Sequence, residues 1–345
     1  MKIDVISFTK NGKNMAERIE KTCKSMGEIH VYHKPEEGVM NWTKEHFSGD
    51  NALIFVGACG IAVRAVAPHI KDKFTDSAVL VIDEKGQFVI PVLSGHVGGA
   101  NELAENISKV FHAVPVITTA TDVNHRFAVD VFAVKNHFRI LNREAVKIIS
   151  GKILANETVS ISVQDYISDG KIPKGLKMVS YPPEEETDIV ISTKENALEK
   201  GVLRLRPADY VMGIGCRQGK SKKELEQFVM EKLEETGLSM KDFICVASID
   251  KKKNETGIIE LARENKIEFR TFTAEELLAV DGEFHSSSFV EETVGVDNVC
   301  ERAAIAACTD GGSLVLHKQA EEGKTIAIAK RNRRISWKGW TENET

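Results

Sequence analysis

Apolar and polar positions alternate in two rhythms along this chain, and the rhythm changes twice. Over residues 1–130, short β-branched runs are separated by stretches of helical period. Ile3-Asp4-Val5-Ile6-Ser7-Phe8 predicts a strand, and Met15, Ala16, Ile19, Cys23 and Met26 mark one helical face within 13–26. Ala52-Leu53-Ile54-Phe55-Val56, closed by Gly57, and Ala78-Val79-Leu80-Val81-Ile82 are uninterrupted apolar runs. Such runs suit parallel strands buried on both faces. Phe88-Val89-Ile90 is a shorter strand, a helix is expected over 99–110, and Pro115–Thr119 reads as the next strand. Strands alternating with helices imply βαβ units.

Residues 131–207 are less regular. They predict a helix over 142–155, strands at Thr158–Val163 and Asp188–Ser192, and loops at 171–175 and 181–186. Arg204-Leu205-Arg206-Pro207 reads as a linker, because proline disfavours helix at the residue before it. From 208 the first rhythm returns. Tyr210–Cys216 is a strand, and Ser221 with Glu224 forms a capping-box pattern for a helix to about 236. Strands follow at Ile244–Ile249, Leu314–Leu316 and Thr325–Ala329, with helices over 255–265, 273–280 and 295–308. The expected fold class is α/β and multidomain. Parallel-sheet α/β domains over 1–130 and 208–345 flank a smaller α+β middle domain over 131–207.

Composition narrows the function classes. The 345 residues are 42% hydrophobic and 28% charged, which is an ordinary globular balance. Forty-six Lys and Arg against 51 Asp and Glu give a net charge of −5. That argues against nucleic-acid binding, which needs a broad basic footprint. No apolar run reaches the length of a membrane-spanning helix, and the N-terminus has no signal-peptide core, so a cytoplasmic chain is expected. The six cysteines form no CxxC pair and read as reduced thiols, mostly small core residues. The basic run Lys330–Arg334 reads as a solvated surface segment.

Four segments carry glycine and polar residues at strand ends, where ligand crevices of open α/β sheets lie. The first is Gly57-Ala58-Cys59-Gly60 with Arg64, His69, Lys71 and Lys73, either an anion-binding turn or a packed turn beside a basic loop. Cys59 is a nucleophile candidate or an inert thiol. The second is Ser94-Gly95-His96-Val97-Gly98-Gly99-Ala100-Asn101-Glu102. His96 sits among glycines, so little should cover it, and it suits general base work. The Gly98 and Gly99 N–H groups suit an oxyanion. The bland alternative is that Ser94 or Asn101 merely caps the helix. The third, Gly213-Ile214-Gly215-Cys216-Arg217-Gln218-Gly219-Lys220-Ser221, departs from the GxxxxGK[ST] pattern and fits a generic anion cradle better than a nucleotide site. The fourth is Ser286–Val290 with Thr293-Val294 and Asp297-Asn298, where a helix cap competes with carboxylate binding through hydroxyls and Arg302. No HExxH and no Cys/His cluster at metal-ligand spacing is present.

Taken together, GACGIAVRAVAPHIKDKFTD, VIDEKGQFVIPVLSGHVGGANELA, ITTATD, GIGCRQGKS, FTAEELLAV and VGVDNVCERAA, in this order over residues 50–330, resemble the cobalt-precorrin-5A hydrolases, the CbiG family of anaerobic cobalamin biosynthesis. The resemblance implies opening of the δ-lactone of cobalt-precorrin-5A and release of acetaldehyde to give cobalt-precorrin-5B. It implies no cofactor, since cobalt comes with the substrate. It implies a small-molecule corrinoid partner and transient contact with neighbouring pathway enzymes, and leaves the oligomeric state open.

With that substrate, His96 is the expected base, and Glu102 or His69 handles a second proton. Arg64, Lys71, Lys73, Arg217 and Lys220 are expected to clamp carboxylates. The tips 57–64, 94–101 and 213–220 are expected to face one hollow. A thioester route through Cys59, a non-catalytic corrinoid chaperone and a nucleotide-dependent enzyme using 213–221 are the alternatives.

Overall fold

A computed structural model describes residues 2–49, 51–284 and 295–340. The chain forms two compact units, Met1–Phe132 with Ile153–Ala155, and Ala133–Lys152 with Asn156–Thr345. Both are α/β.

The first unit is built on a six-stranded sheet. Its strands are β1 (Lys2–Ser7), β2 (Glu28–His33), β3 (Asn51–Val56), β4 (Ala78–Ile82), β5 (Phe88–Leu93) and β6 (Val114–Pro115), in the order β2-β1-β3-β4-β5-β6. Strand alternation sends Ile3, Val5, Ile54 and Leu80 to one face, against Met15, Ile19, Leu103 and Ile107 of two helices. Ile6, Leu53, Phe55 and Val81 go to the other face, against Trp42, Ala62 and Val66. Both faces are covered, so the strands read as continuous apolar runs.

One pairing changes where the loops emerge. Strands β1 to β4 run parallel, but β5 is antiparallel to β4, with Val79 opposite Leu93 and Ile82 opposite Val89. The helix Ala100–Phe111 then returns the chain to β6, which is parallel to β5. The turn at Gly57, whose N–H donates to the Ile82 carbonyl, lies at the carboxyl ends of β3 and β4. The loop after Leu93 lies at their amino ends. Strand β4 separates them by about 13 Å at 3.3 Å per residue. Segments 57–60 and 94–101 therefore do not face one hollow, contrary to the expectation from a uniformly parallel sheet. The predicted strand Pro115–Thr119 also shrinks to Val114–Pro115, where Pro115 has no N–H for the ladder.

The second unit contains two five-stranded sheets. One takes β7 (Phe138–Ile140), β8 (Val159–Val163), β10 (Leu176–Met178), β11 (Thr187–Ile191) and β12 (Gly201–Pro207). Arg204–Pro207 is thus not a linker: Pro207 ends a strand, paired antiparallel with Phe138. The other takes β13 (Tyr210–Cys216), β14 (Phe243–Ile249), β15 (Glu268–Phe272), β16 (Gly312–Glu321) and β17 (Lys324–Arg331), in the order β15-β14-β13-β17-β16. Met212 and Ile214 pack against Leu225, Phe228 and Ile258, while Val211 and Ala247 pack against Ala303 and Ala304. The predicted capping box is present, with the Ser221 hydroxyl accepting from the Glu224 N–H.

The short strands β9 (Ile167–Asp169) and β18 (Arg334–Ser336) pair with each other. The basic run 330–334 is a solvated segment only in part: Lys330, Asn332 and Arg334 are exposed. Lys330 and Arg331 end β17, and Arg333 is buried against Asp209. Among the described residues no helix is long and apolar enough to cross a membrane.

Candidate functional site

Strands β5 and β6 deliver their carboxyl ends to the same edge, with the helix Ala100–Phe111 between them. The loop after β5 is tied at both ends. Ser94, in the left-handed region at φ 55°, donates its hydroxyl to the Asp76 carbonyl at 3.1 Å. The first N–H groups of the helix are taken by loop carbonyls: Gly99 N–H by His96 O, Ala100 N–H by Ser94 O, and Asn101 N–H by Gly95 O. A Cβ on Gly98 would lie 2.5 Å from Ser94 Cβ, and one on Gly95 would lie 2.6 Å from Asn101 Oδ1. Gly98 is thus required by the fold of the loop itself, while Gly95 leaves room for the Asn101 side chain. Of the two N–H groups expected to stabilise an oxyanion, Gly99 is committed, while Gly98 has no partner among the described residues.

This loop holds His96 between two carboxylates that sequence reasoning missed. Its Nδ1 lies 3.2 Å from Asp130 Oδ1, and its Nε2 lies 3.2 Å from Asp122 Oδ2 and 3.1 Å from Thr121 Oγ1. Asn101 does not cap the helix. Its amide donates to Asp122 Oδ2 at 2.5 Å and to Thr119 Oγ1 at 3.1 Å. Lys73 Nζ approaches Asp130 Oδ2 at 3.4 Å, so the basic loop and the histidine loop meet here. Lys71 is exposed on the same loop, which Asp76 folds by accepting the Lys71 and Asp72 N–H groups.

Charge follows from this geometry. Burial opposes a charge on His96, but the hydrogen bonds and charges of Asp122 and Asp130 outweigh it and raise its pKa to about 9. Burial also acts against both carboxylates, yet His96 holds each below its ordinary value. At neutral pH the ring is an imidazolium with both nitrogens engaged. The expected exposure of His96 is corrected accordingly: the ring is largely enclosed, and as an imidazolium it has no free lone pair. Asp122 is the more open carboxylate, with 32% of its side chain exposed against 6% for Asp130.

This cluster predicts a pH dependence of stability. The folded pKa of His96 lies above its ordinary 6.5, so its contribution is complete below about pH 6.5 and fades as pH rises to about 9. The lowered carboxylates act oppositely, losing their contribution as pH falls below their ordinary range. Urea unfolding of the full chain should show stability falling by roughly 3 kcal/mol at most between pH 6.5 and 9.5. An Asp130→Asn variant should show a smaller fall, and a flat profile in the parent chain contradicts the assignment.

The other predicted residues are placed differently. Gly57, Cys59 and Gly60 lie at the opposite edge of the sheet, and Cys59 packs beside the core. Arg64 is exposed and folds back onto the Gly60 carbonyl at 3.1 Å. His69 packs on the Phe47 ring, and Glu102 is exposed in the first helical turn. Neither is hydrogen-bonded to the His96 cluster among the described residues.

In the second unit the cradle at 213–221 is filled by the protein's own acids. Gly219 N–H donates to Glu255, and Lys220 donates to Glu224 at 2.7 Å. Glu224 also accepts from the Ser221 hydroxyl, and these contacts hold its pKa down at about 2. Gly213 serves packing, since a Cβ there would lie 1.8 Å from the Cys300 carbonyl. Gly215 fits beneath Thr325, whose hydroxyl a Cβ would meet at 2.6 Å. Cys216 is half-buried beside the core, with its pKa raised chiefly by burial. Arg217 is exposed.

Arg302 is held by Asp297 at 2.7 Å and by the Val280 carbonyl at 3.0 Å, and it stacks on Phe284. These contacts make it a structural tie. Asn298 caps the helix Val299–Ala306, as the bland reading had it. Ser286–Val290 and Thr293-Val294 lie outside the described residues. Burial raises the thiols of Cys245 to about 12 and of Cys300 and Cys308 to about 11, as inert core thiols require. Among the described residues, no group of three or more His, Cys, Asp or Glu is arranged to hold a metal ion.

Comparison with known proteins agrees with the order of these motifs. Family models for the N-terminal and C-terminal regions of cobalamin synthesis protein G match residues 41–122 and 210–329. A cobalt-precorrin-5A hydrolase of Salmonella typhimurium is 37% identical over 302 residues, 84% of this chain and 85% of that one. One from Priestia megaterium is 30% identical over 354 residues, 94% of each chain. The crystal structure of a cobalamin biosynthesis protein G homolog from Sulfolobus solfataricus is similar with 25% identity and a TM-score of 0.43, over 95% of this chain and 96% of that one.

Proposed function

Because this chain belongs to the cobalt-precorrin-5A hydrolase family, we propose that it adds water to the δ-lactone of cobalt-precorrin-5A and releases acetaldehyde, giving cobalt-precorrin-5B. The observation that carries the reading at residue level is the imidazolium clamped between Asp122 and Asp130. Lactone opening needs a group that takes a proton from water and one that gives a proton to the departing ring oxygen. Asp122, the more open carboxylate, takes the first. His96, charged at rest, gives the second. The Gly98 N–H is the donor for the tetrahedral oxyanion.

Ring opening leaves an alcohol at C20. Loss of its proton drives carbon–carbon cleavage toward acetaldehyde, with the macrocycle as electron sink. A His96 that has just given up its proton is the group suited to accept this one. Lys71 and Lys73 supply positive charge for the carboxylates of the corrinoid rim. The cobalt is part of the substrate.

The alternatives draw less support. A thioester through Cys59 would put the nucleophile at the far edge of the sheet from His96. A nucleotide at 213–221 would have to displace Glu224 and Glu255 from their partners. The test is anaerobic incubation with cobalt-precorrin-5A, assaying acetaldehyde. Asp122→Asn should slow its release at least about 10²-fold. Tight corrinoid binding with no acetaldehyde from the parent chain would establish the chaperone reading instead.

A further inference from the structure

The second unit contains a cavity of about 340 Å³ that the reaction above does not use. It is lined by residues 164–167, Asp209, Ser313 and residues 330–333. Three of its lining residues are cations, Lys330, Arg331 and Arg333, against Asp165 and Asp209. The pair Arg333–Asp209 is internally satisfied. Arg333 donates to both Asp209 oxygens, at 3.1 and 2.5 Å, and to the Gln164 carbonyl. Lys330 and Arg331 remain, and no ion pair is formed by either among the described residues, although the charges of Asp209 and Asp310 act on Arg331.

Arg331 is incompletely paired. One terminal nitrogen donates to the Ala208 carbonyl at 3.2 Å, while its Nε is buried without a partner. Burial holds this guanidinium below its usual basicity, Asp209 works against that, and neighbouring Arg333 adds to it. Lys330 is exposed and has no acidic partner among the described residues. A hollow with two under-compensated cations beside a locked Arg–Asp pair suits an oxyanion, and Arg supplies a planar fork that matches a carboxylate. The volume exceeds the need of a simple inorganic ion, and Tyr166 and Ile167 give the wall apolar surface.

We propose that this cavity is a binding site for a small organic polycarboxylate, held by Arg331 and Lys330. Because it stands in the second unit on its own contacts, it can be tested without the hydrolase reaction. Titration calorimetry of the full chain with citrate, against sodium chloride at matched ionic strength, should show one site. Lys330→Gln, a change at an exposed side chain, should weaken it at least tenfold. Arg331→Lys, which keeps the charge and loses the fork, should weaken it similarly. No citrate heat beyond chloride in the parent chain overturns the proposal, as does citrate binding of parental strength in either variant. With citrate binding established, a raised KM for cobalt-precorrin-5A in Lys330→Gln assigns the bound acid to the substrate's own rim, and an unchanged KM assigns it to a separate molecule.

Discussion

A His96→Gln variant is expected to keep its fold and its affinity for the corrinoid while releasing acetaldehyde about 10²–10⁴-fold more slowly. Glutamine retains a donor toward one carboxylate but has no proton to give or take. The ring sits between Asp122 and Asp130 at 3.2 Å on each side. Removing its charge leaves those two acids near each other, with Lys73 beside Asp130. One of them should then titrate at a raised pH, as paired carboxylates do. The residual activity of the variant should therefore move its acidic limb upward, a change that mere loosening of the loop would not cause. His96→Ala serves as the harsher control, losing the hydrogen bonds as well. Release within threefold of the parent rate in His96→Gln, with circular dichroism unchanged, would remove the imidazole from proton transfer.

What the sequence made legible was the covalent punctuation of the chain. Gly57 directly follows β3 where a strand end was expected, and the capping box at Ser221 is visible in four consecutive letters, whereas Gly213 lies inside β13. The buried strands β3 and β4 announce themselves as apolar runs. The direction of β5 does not. Phe88–Leu93 has the same composition whether it runs with β4 or against it, and that direction decides which edge receives His96. Its two carboxylates were equally hidden. Asp122 stands in the ITTATD segment, quoted for resemblance but given no role. Asp130 opens a helix, Val129–Lys135, whose face of Val129, Phe132 and Ala133 was the available signal. A lone histidine among glycines suggests exposure. Only the three-dimensional return of residues 119–130 shows it to be enclosed.

The same ambiguity attends the glycines of the second unit, and there a substitution separates the two meanings. Gly213→Ala is expected to cost at least about 4 kcal/mol, read as a lowered urea midpoint of the full chain. A methyl group there would stand 1.8 Å from the Cys300 carbonyl and 3.0 Å from the Ala304 side chain, both on the helix that packs against β13. The obstacle is helix backbone rather than a flexible side chain, so the strand and helix must separate, and the Val211–Ala304 core opens with them. Gly219→Ala is the contrast within the same predicted motif. Its Cβ would meet nothing within 4 Å, and its cost is confined to a left-handed φ of 82°. That should amount to about 1–2 kcal/mol. A ligand cradle would make both glycines matter to binding and neither decisive for folding. If Gly213→Ala unfolds no more easily than Gly219→Ala, close helix–strand packing is not what placed a glycine at 213.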